Sequence, residues 1–208
     1  MSKTDQGVPR RTFLKTAGTA VAATAVAGPY VIPSGVLAAP GRLGANDRLT
    51  FGHIGVGGMG GGHLRGMVDR MQRGEVNIAA VCDIDDKRLE NASRTAGPQA
   101  DCYRDYRDVL DRKDIDAVVM ATPDHWHAVQ TVHAAERGKH VYVEKPACCT
   151  VEEGKAMIAA ATKAGIAVQV GSQGRSQPEA YLAHRYLVNG NIGRISQVDC
   201  FHYPSPTG

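Results

Sequence analysis

The stretch Leu49–His63 most constrains the fold, because a short apolar run leads there into a glycine-rich hexapeptide. The hexapeptide reads GVGGMG and matches G-x-G-x-x-G, with glycines at Gly55, Gly57 and Gly60. The first glycine of this pattern allows a tight turn out of a strand, the second lets the backbone approach a pyrophosphate, and the third lets the next helix pack closely. The N-terminus of that helix offers free N–H groups to the phosphates. Taken alone, the hexapeptide is equally typical of a flexible turn.

The residues that follow favour a dinucleotide site over a flexible turn. A helical stretch over His63–Arg73 leads into Val76–Cys82, which has the pattern of a buried strand. Asp83 ends this run about 23 positions after the last glycine, as expected of a carboxylate that binds a ribose. Such a carboxylate repels a 2′-phosphate, so the sequence predicts NAD rather than NADP as the cofactor. Arg88, close by in sequence, weakens that preference.

Strand and helix patterns then alternate with short connections. Further strands are predicted over Ala100–Tyr103, Asp116–Thr122, His140–Val143 and Ile166–Val170, and helices over Asp85–Thr95, Arg107–Arg112, Ala128–Arg137 and Val151–Ala164. This alternation predicts an α/β fold, a doubly wound parallel sheet (Rossmann), over residues 47–175. A helix over Ala180–Val188 and a strand over Ile195–His202 predict that residues 176–208 are only the start of a second, truncated α+β domain.

The N-terminal residues have the layout of an export leader. A twin arginine, Arg10-Arg11, is followed by a mildly apolar run over Thr16–Gly28 and by small residues. This resembles a twin-arginine signal peptide over 1–38, cleaved after Ala38, with 39–46 as a linker. An uncleaved membrane anchor is the alternative, but the apolar run has only about 13 residues where a spanning helix needs about 20. We therefore expect passage through the twin-arginine export machinery and a periplasmic or otherwise exported location.

Charge and cysteine usage exclude some classes of function. Four of the 24 basic residues and one of the 21 acidic residues lie in the leader, which leaves 20 of each in the rest of the chain. A neutral folded part has no electrostatic footprint for nucleic acid. The five cysteines lack the spacing of a zinc site, and Cys82 and Cys102 are predicted to be buried. His125 and His127 form an H-x-H pair without a third ligand nearby, so no metal site is predicted.

Three polar motifs follow predicted strands, where a doubly wound fold places its ligand. They are TPDHWH over 122–127, EKP over 144–146 and GSQGR over 171–175. Together with GVGGMG and the strand that ends in Cys82-Asp83, these motifs resemble the Gfo/Idh/MocA family of NAD(P)-dependent oxidoreductases. The paired TPxxxH and EKP motifs are the specific part of the resemblance, which extends from Thr50 to about Gln173.

The resemblance implies roles for individual residues. The implied cofactor-binding set is Gly55, Gly57, Gly58, Met59, Gly60, Asp83, Thr122, Pro123, His127, Glu144 and Lys145. In this set Asp83 would bind the adenosine ribose, and Thr122, Pro123 and His127 would line the nicotinamide half. Glu144 would contact the nicotinamide ribose, and Lys145 would be the catalytic residue beside the reacting carbon. A lysine there can polarise a carbonyl or pass on a proton while hydride moves.

Three functions are compatible with this pattern. The leading hypothesis is an exported NAD(P)-dependent oxidoreductase that acts on a sugar or polyol, and the resemblance implies a homo-oligomer for the full-length protein. The alternatives are an NAD-dependent glycoside hydrolase of the related group and a non-catalytic nucleotide-binding module. The histidine and aspartate that the family places in its second domain have no counterpart before Gly208. We therefore expect residues 39–208 to bind nucleotide without turning over substrate.

Overall fold

The computed structural model describes residues 37–38 and 43–200. The predicted leader, except residues 37–38, and the first half of the predicted linker, residues 39–42, therefore lie outside the described residues. Six strands form one sheet in the order β3-β2-β1-β4-β5-β6. Every pair of neighbouring strands is parallel. This order confirms the predicted doubly wound α/β sheet, and its direction reverses between β1 and β4, where such folds bind ligands.

The strands alternate with helices from β1 to the end of the described chain. The strands are β1 Leu49–Ile54, β2 Val76–Cys82, β3 Asp101–Tyr103, β4 Ala117–Met120, β5 His140–Glu144 and β6 Val168–Gly171. The helices are α1 Gly58–Gln72, α2 Asp86–Ala96, α3 Tyr106–Asp111, α4 Asp124–Glu136, α5 Val151–Ala164 and α6 Pro178–Val188. Short 3-10 turns cover Ala45–Asp47 and Gln173–Ser176. No helix within 37–38 and 43–200 is long and apolar enough to cross a membrane.

Each face of the sheet has its own apolar core. One core includes Val118, Met120 and Val143 from the central strands and packs them against α3, α4 and α5. The other includes Val81 from β2 and Leu64 from α1, and packs α1 and α2 against the sheet. All four residues of β4 are buried, as expected of a parallel strand covered on both faces.

Local capping signals determine where several helices begin and end. At the start of α5, the Thr150 side chain accepts the Glu153 N–H and the Glu153 carboxylate accepts the Thr150 N–H, which completes a capping box. The same helix ends at Gly165, whose φ of +66° is the left-handed conformation that favours glycine. The predicted range of this helix is therefore confirmed at both ends.

Two other helices begin four or five residues earlier than the sequence predicts. Helix α1 begins at Gly58 rather than His63, so the second half of the glycine loop forms its first turn. Helix α4 begins at Asp124 rather than Ala128, and its first turn contains most of TPDHWH. In both cases the binding motif is itself the N-terminus of a helix, and the polar or glycine-rich first turn hides the apolar periodicity.

Two further predictions are wrong in the described residues. The strand predicted over Ile195–His202 is absent from its described part, 195–200, because no described segment pairs with it. Cys102 is exposed because it lies on β3, the edge strand of the sheet, whereas Cys82 is buried as predicted.

Two basic side chains donate hydrogen bonds to backbone carbonyls near the amino end of the sheet. The register between β1 and β2 shifts between Phe51 and Gly52, and the carbonyl of the skipped residue, Ala79, accepts a hydrogen bond from Arg112 Nη1 at 2.9 Å. The Lys139 ammonium donates to the Ile115 carbonyl at 2.8 Å, and burial lowers the pKa of this lysine. Carbonyls that the strands leave without partners are thus bonded to cations.

Candidate functional site

A cleft of 530 Å³ opens at the carboxyl ends of the central strands. Six of the residues predicted to bind cofactor line it, namely Gly55, Gly57, Gly58, Asp83, Thr122 and Pro123. The glycine loop follows β1, Asp83 follows β2, and Thr122-Pro123 follows β4, so the cleft lies at the point where the strand order reverses. This is the position that doubly wound sheets use for nucleotides.

The glycine loop has the geometry that its sequence pattern predicts. Gly55 has a φ of +79°, and its N–H donates to the Cys82 carbonyl at 2.8 Å. A Cβ added to Gly60 would lie 1.9 Å from the Gly55 carbonyl oxygen, so only glycine allows α1 to pack so close to the loop. Met59 lies in the same loop, but its side chain is 51% exposed and does not line the cleft.

Asp83 connects the end of β2 to the glycine loop. One carboxylate oxygen accepts the Val56 N–H at 2.9 Å, and the other accepts the Asp85 N–H at 3.0 Å. The residue is buried, yet it still lines the cleft. Since each carboxylate oxygen has two lone pairs, both oxygens keep acceptor capacity for ribose hydroxyls.

The residues of the TPxxxH motif lie in two different environments. Thr122 and Pro123 line the cleft together with Asp83, and the Thr122 hydroxyl donates to Gln130 Oε1 at 2.7 Å. His127 does not line the cleft and is 1% exposed. Its Nε2 lies 2.8 Å from the Thr122 carbonyl oxygen, and its Nδ1 lies 2.7 Å from the Pro146 carbonyl oxygen.

The predicted role of His127 in lining the nicotinamide half stays a prediction, and the structure gives the ring a further task. Both ring nitrogens contact backbone carbonyls, which only accept, so a neutral ring donates to one carbonyl and an imidazolium donates to both. His127 joins the loop after β4 to the loop after β5, and its ring has no free nitrogen for a ligand. The sequence motif marks a residue that holds two binding loops together.

Lys145 and Glu144 lie at the end of β5, two strands away from the glycine loop. The Lys145 side chain is exposed, and the Lys145–Pro146 peptide bond is cis. Glu144 is 4% exposed, and its Oε2 accepts the Lys145 N–H at 3.1 Å. Its Oε1 lies 2.6 Å from His63 Nε2 on α1 and also accepts a hydrogen bond from the Gln173 side chain.

The other end of the cleft is formed by residues that the motifs did not predict. They include Ile84, Arg104, Tyr106 and Trp126, and Arg88, already noted for its effect on cofactor choice, lies beside them. Arg104 donates to the Ile84 carbonyl at 3.0 Å and also pairs with the Asp86 carboxylate. The Tyr106 and Trp126 rings meet edge to face, with centroids 6.2 Å apart. Each of these residues lies in the loop or the first helical turn after β2, β3 or β4, and that position is the signal that could have identified them.

Burial determines the chemistry of the thiol beneath the cleft. Cys82 lines the cleft floor, and burial, followed by the charge of Asp83, raises its pKa to about 12. The thiol is therefore uncharged at neutral pH and is a poor nucleophile. Within 37–38 and 43–200, no three histidine, cysteine, aspartate or glutamate side chains come close enough together to hold a metal ion.

The cleft residues match a known family. The family model GFO_IDH_MocA, described as "Oxidoreductase family, NAD-binding Rossmann fold", matches residues 49–172. The chain belongs to the Gfo/Idh/MocA oxidoreductase family. The six strands occupy almost the same residues, so the matched part is an NAD-binding Rossmann domain, as the motifs indicate.

Several curated proteins and solved structures are similar to this chain. An inositol 2-dehydrogenase of Klebsiella pneumoniae is 35% identical over 77% of this chain and 47% of its own length. A glycosyl hydrolase family 109 protein of Shewanella pealeana is 35% identical over 69% of this chain and 35% of its own length. The WlbA dehydrogenase of Bordetella pertussis, solved with NADH and UDP-GlcNAcA, superposes with a TM-score of 0.64 and 29% identity over 71% of this chain and 44% of its own. This chain thus spans less than half the length of each of these relatives.

Proposed function

We propose that this chain is the cofactor-binding part of an NAD-dependent oxidoreductase that acts on a CH–OH group of a sugar or polyol. One observation carries the proposal. The residues suited to each part of the cofactor follow one another along the carboxyl edge of the sheet, with Asp83 after β2, the glycine loop after β1, Thr122 after β4 and Lys145 after β5. From β2 to β5 is three strand spacings, roughly 14 Å, the scale of an extended dinucleotide.

Each of these residues has a task that its chemistry supports. The N-terminus of α1 directs free N–H groups at a pyrophosphate, and Asp83 offers carboxylate oxygens to the adenosine ribose. Lys145 is exposed at the far end of this row, where its ammonium can donate to an alcohol or carbonyl oxygen of the substrate. NAD supplies the hydride acceptor when it is bound.

The relatives support a sugar or polyol as the substrate. The Klebsiella relative is an inositol 2-dehydrogenase, and a levoglucosan dehydrogenase of Pseudarthrobacter phenanthrenivorans is 44% identical over 44% of this chain. The similarity to the Shewanella glycosyl hydrolase family 109 protein makes glycoside hydrolysis the second candidate. The two candidates share the cofactor site, and they differ in whether NADH accumulates.

Two measurements test the proposed function. Calorimetric titration of the full chain with NAD tests the site, and absence of binding contradicts the proposal. Incubation of the full-length protein with NAD and a panel of sugars and polyols tests the reaction, with NADH absorbance as the readout. Release of nitrophenol from nitrophenyl glycosides without net NADH would select the hydrolase instead.

We also propose that the protein is exported through the twin-arginine machinery. The support is the Arg10-Arg11 pair and the small-residue end of the predicted leader at Ala38. Replacement of both arginines by lysine in a reporter fusion should retain the reporter in the cytoplasm. The unchanged leader should deliver it to the periplasm, and equal delivery by both fusions would contradict the proposal.

A further inference from the structure

A partly buried polar cluster with Glu144 at its centre lies beside the catalytic end of the site, and the proposed function does not yet use it. It consists of four side chains, His63, Tyr142, Glu144 and Gln173, and is called the Glu144 cluster below. The Glu144 side chain is 6% exposed and the His63 side chain 22% exposed. These residues come from α1, β5 and the turn after β6, so the cluster joins three distant segments of the chain.

The Glu144 carboxylate receives hydrogen bonds from three donors. His63 Nε2 lies 2.6 Å from Oε1, Gln173 Nε2 donates to the same oxygen, and the Lys145 N–H donates to Oε2 at 3.1 Å. A buried carboxylate is costly unless such donors replace its water. Because Oε1 has two protein donors and Oε2 has one, only Oε2 keeps a lone pair for a ligand.

The His63 ring is held in one orientation. An ionised carboxylate only accepts hydrogen bonds, so the contact requires a proton on His63 Nε2. The ring packs edge to face on Tyr142, with centroids 5.2 Å apart and an interplanar angle of 70°. Gln173 Nε2 also donates to the Tyr142 hydroxyl at 3.2 Å. Both donors to Oε1, His63 and Gln173, therefore contact the same tyrosine.

His63 links the two ends of the site. It belongs to the second turn of α1, whose first turn is the glycine loop, and it bonds to the residue that precedes Lys145. The distance between the pyrophosphate loop and the end of β5 therefore depends on this hydrogen bond. A misplacement of about 1 Å in such a framework is enough to cost about a hundredfold in rate.

We propose that His63 is a positioning residue for the nicotinamide half of the cofactor. Its Nε2–H holds Oε1 of Glu144 so that Oε2 faces the nicotinamide ribose beside Lys145. This inference rests on the proposed NAD site. It assigns to the histidine a role that the Rossmann glycine pattern does not include.

Binding of NAD compared with binding of ADP tests the proposal. ADP reaches the glycine loop and Asp83 but has no nicotinamide ribose, so it reports on the part of the site that His63 does not position. The full chain carrying His63→Ala should bind NAD at least tenfold more weakly and ADP within twofold of the unchanged chain. Asp69→Ala, at an exposed position of the same helix, should change neither affinity.

Two more variants keep the test decisive if His63→Ala does not fold. His63→Gln places an amide N–H near the position of Nε2 and should recover most of the NAD affinity. Gln173→Ala removes the second donor to Oε1 and should also weaken NAD selectively. Equal weakening of NAD and ADP, or no change in either, would overturn the positioning role. Failure of the unchanged chain to bind NAD would instead refute the proposed function.

Discussion

The Asp83 carboxylate accepts the backbone N–H of Val56 at 2.9 Å, and so joins the end of β2 to the middle of the glycine loop. One side chain therefore shapes the phosphate-binding loop and also presents acceptor oxygens to the cleft. Loss of the carboxylate should affect the shape of the loop and the choice of cofactor together.

Replacement of Asp83 by alanine should weaken NAD binding and reduce the preference for NAD over NADP. The Val56 N–H is buried, and an unpaired buried donor costs about 1–3 kcal/mol, which should appear as a lower melting temperature. Removal of the negative charge also removes the repulsion of a 2′-phosphate, while Arg88 remains on the cleft wall. Calorimetric titration with both cofactors checks this, and an unchanged ratio of their dissociation constants would reject the role of Asp83.

Replacement of Lys145 by alanine should remove most turnover in the full-length protein while NAD still binds. A positioned acid–base group contributes about 10²- to 10⁴-fold in rate. The exposed side chain makes few contacts that stability would depend on. Lys155→Ala, at an exposed position of α5, is the matched control. A Lys145→Ala enzyme that retains the normal rate would show that another group performs the proton transfer.

Replacement of Gly60 by alanine should abolish NAD binding. The new Cβ would lie 1.9 Å from the Gly55 carbonyl oxygen, which forces α1 away from the loop. Gly66→Ala is a sharp control because it adds the same methyl group to the same helix in open space. That variant should stabilise the chain by about 0.5–1 kcal/mol and leave binding unchanged. Equal binding by the two variants would mean that the close approach at Gly60 is not needed.

His53 should make the stability depend on pH. The residue is 1% exposed, and neither ring nitrogen has a hydrogen-bond partner among the described residues. Burial, followed by the charge of His63, lowers the pKa of His53 to about 3. An unfolded chain takes up this proton near pH 6.5 and the folded chain near pH 3, so the unfolded state binds more protons between these values. The free energy of unfolding should therefore fall as the pH is lowered from 6.5, by at most about 1.4 kcal/mol per pH unit from this group.

Urea unfolding at pH 6.5 and pH 5 measures this dependence. His53→Leu replaces the ring by an apolar side chain of similar volume. The slope of the free energy of unfolding against pH should then decrease, by at most the contribution of one titrating group. His125→Gln replaces an exposed histidine and should leave the slope unchanged. An identical slope in the His53→Leu variant would contradict burial of the neutral ring as its cause.

The sequence predicted those features that depend on local signals. The order of strands and helices follows from hydrophobic periodicity. The predicted bounds of α5 agree with the observed ones, since the residues that cap the helix, Thr150, Glu153 and Gly165, lie at its ends in sequence. The glycine loop and Asp83 were found for the same reason, since their spacing is fixed within one β-α-β unit.

Features that depend on distant segments were not predicted. His63 and Glu144 are in contact although they lie 81 positions apart, and the residues around His63 in the sequence do not indicate this contact. The burial of His127 depends on its contact with the Pro146 carbonyl, 19 positions away, and the TPxxxH motif gives no sign of that contact. The strand predicted over Ile195–His202 also needs a partner strand, and the local sequence does not reveal whether one is present.

The cations at the amino end of the sheet make this chain a suitable scaffold for loop grafting. Arg112 and Lys139 bond to carbonyls at the end of the sheet away from the cleft, and neither lines the cleft. The loops after β2 and β4 can therefore be exchanged for those of related proteins while the bonds at the opposite end of the sheet stay intact. An engineer who wishes to change the cofactor preference should vary the loops at the carboxyl ends of the strands and keep the amino end of the sheet constant.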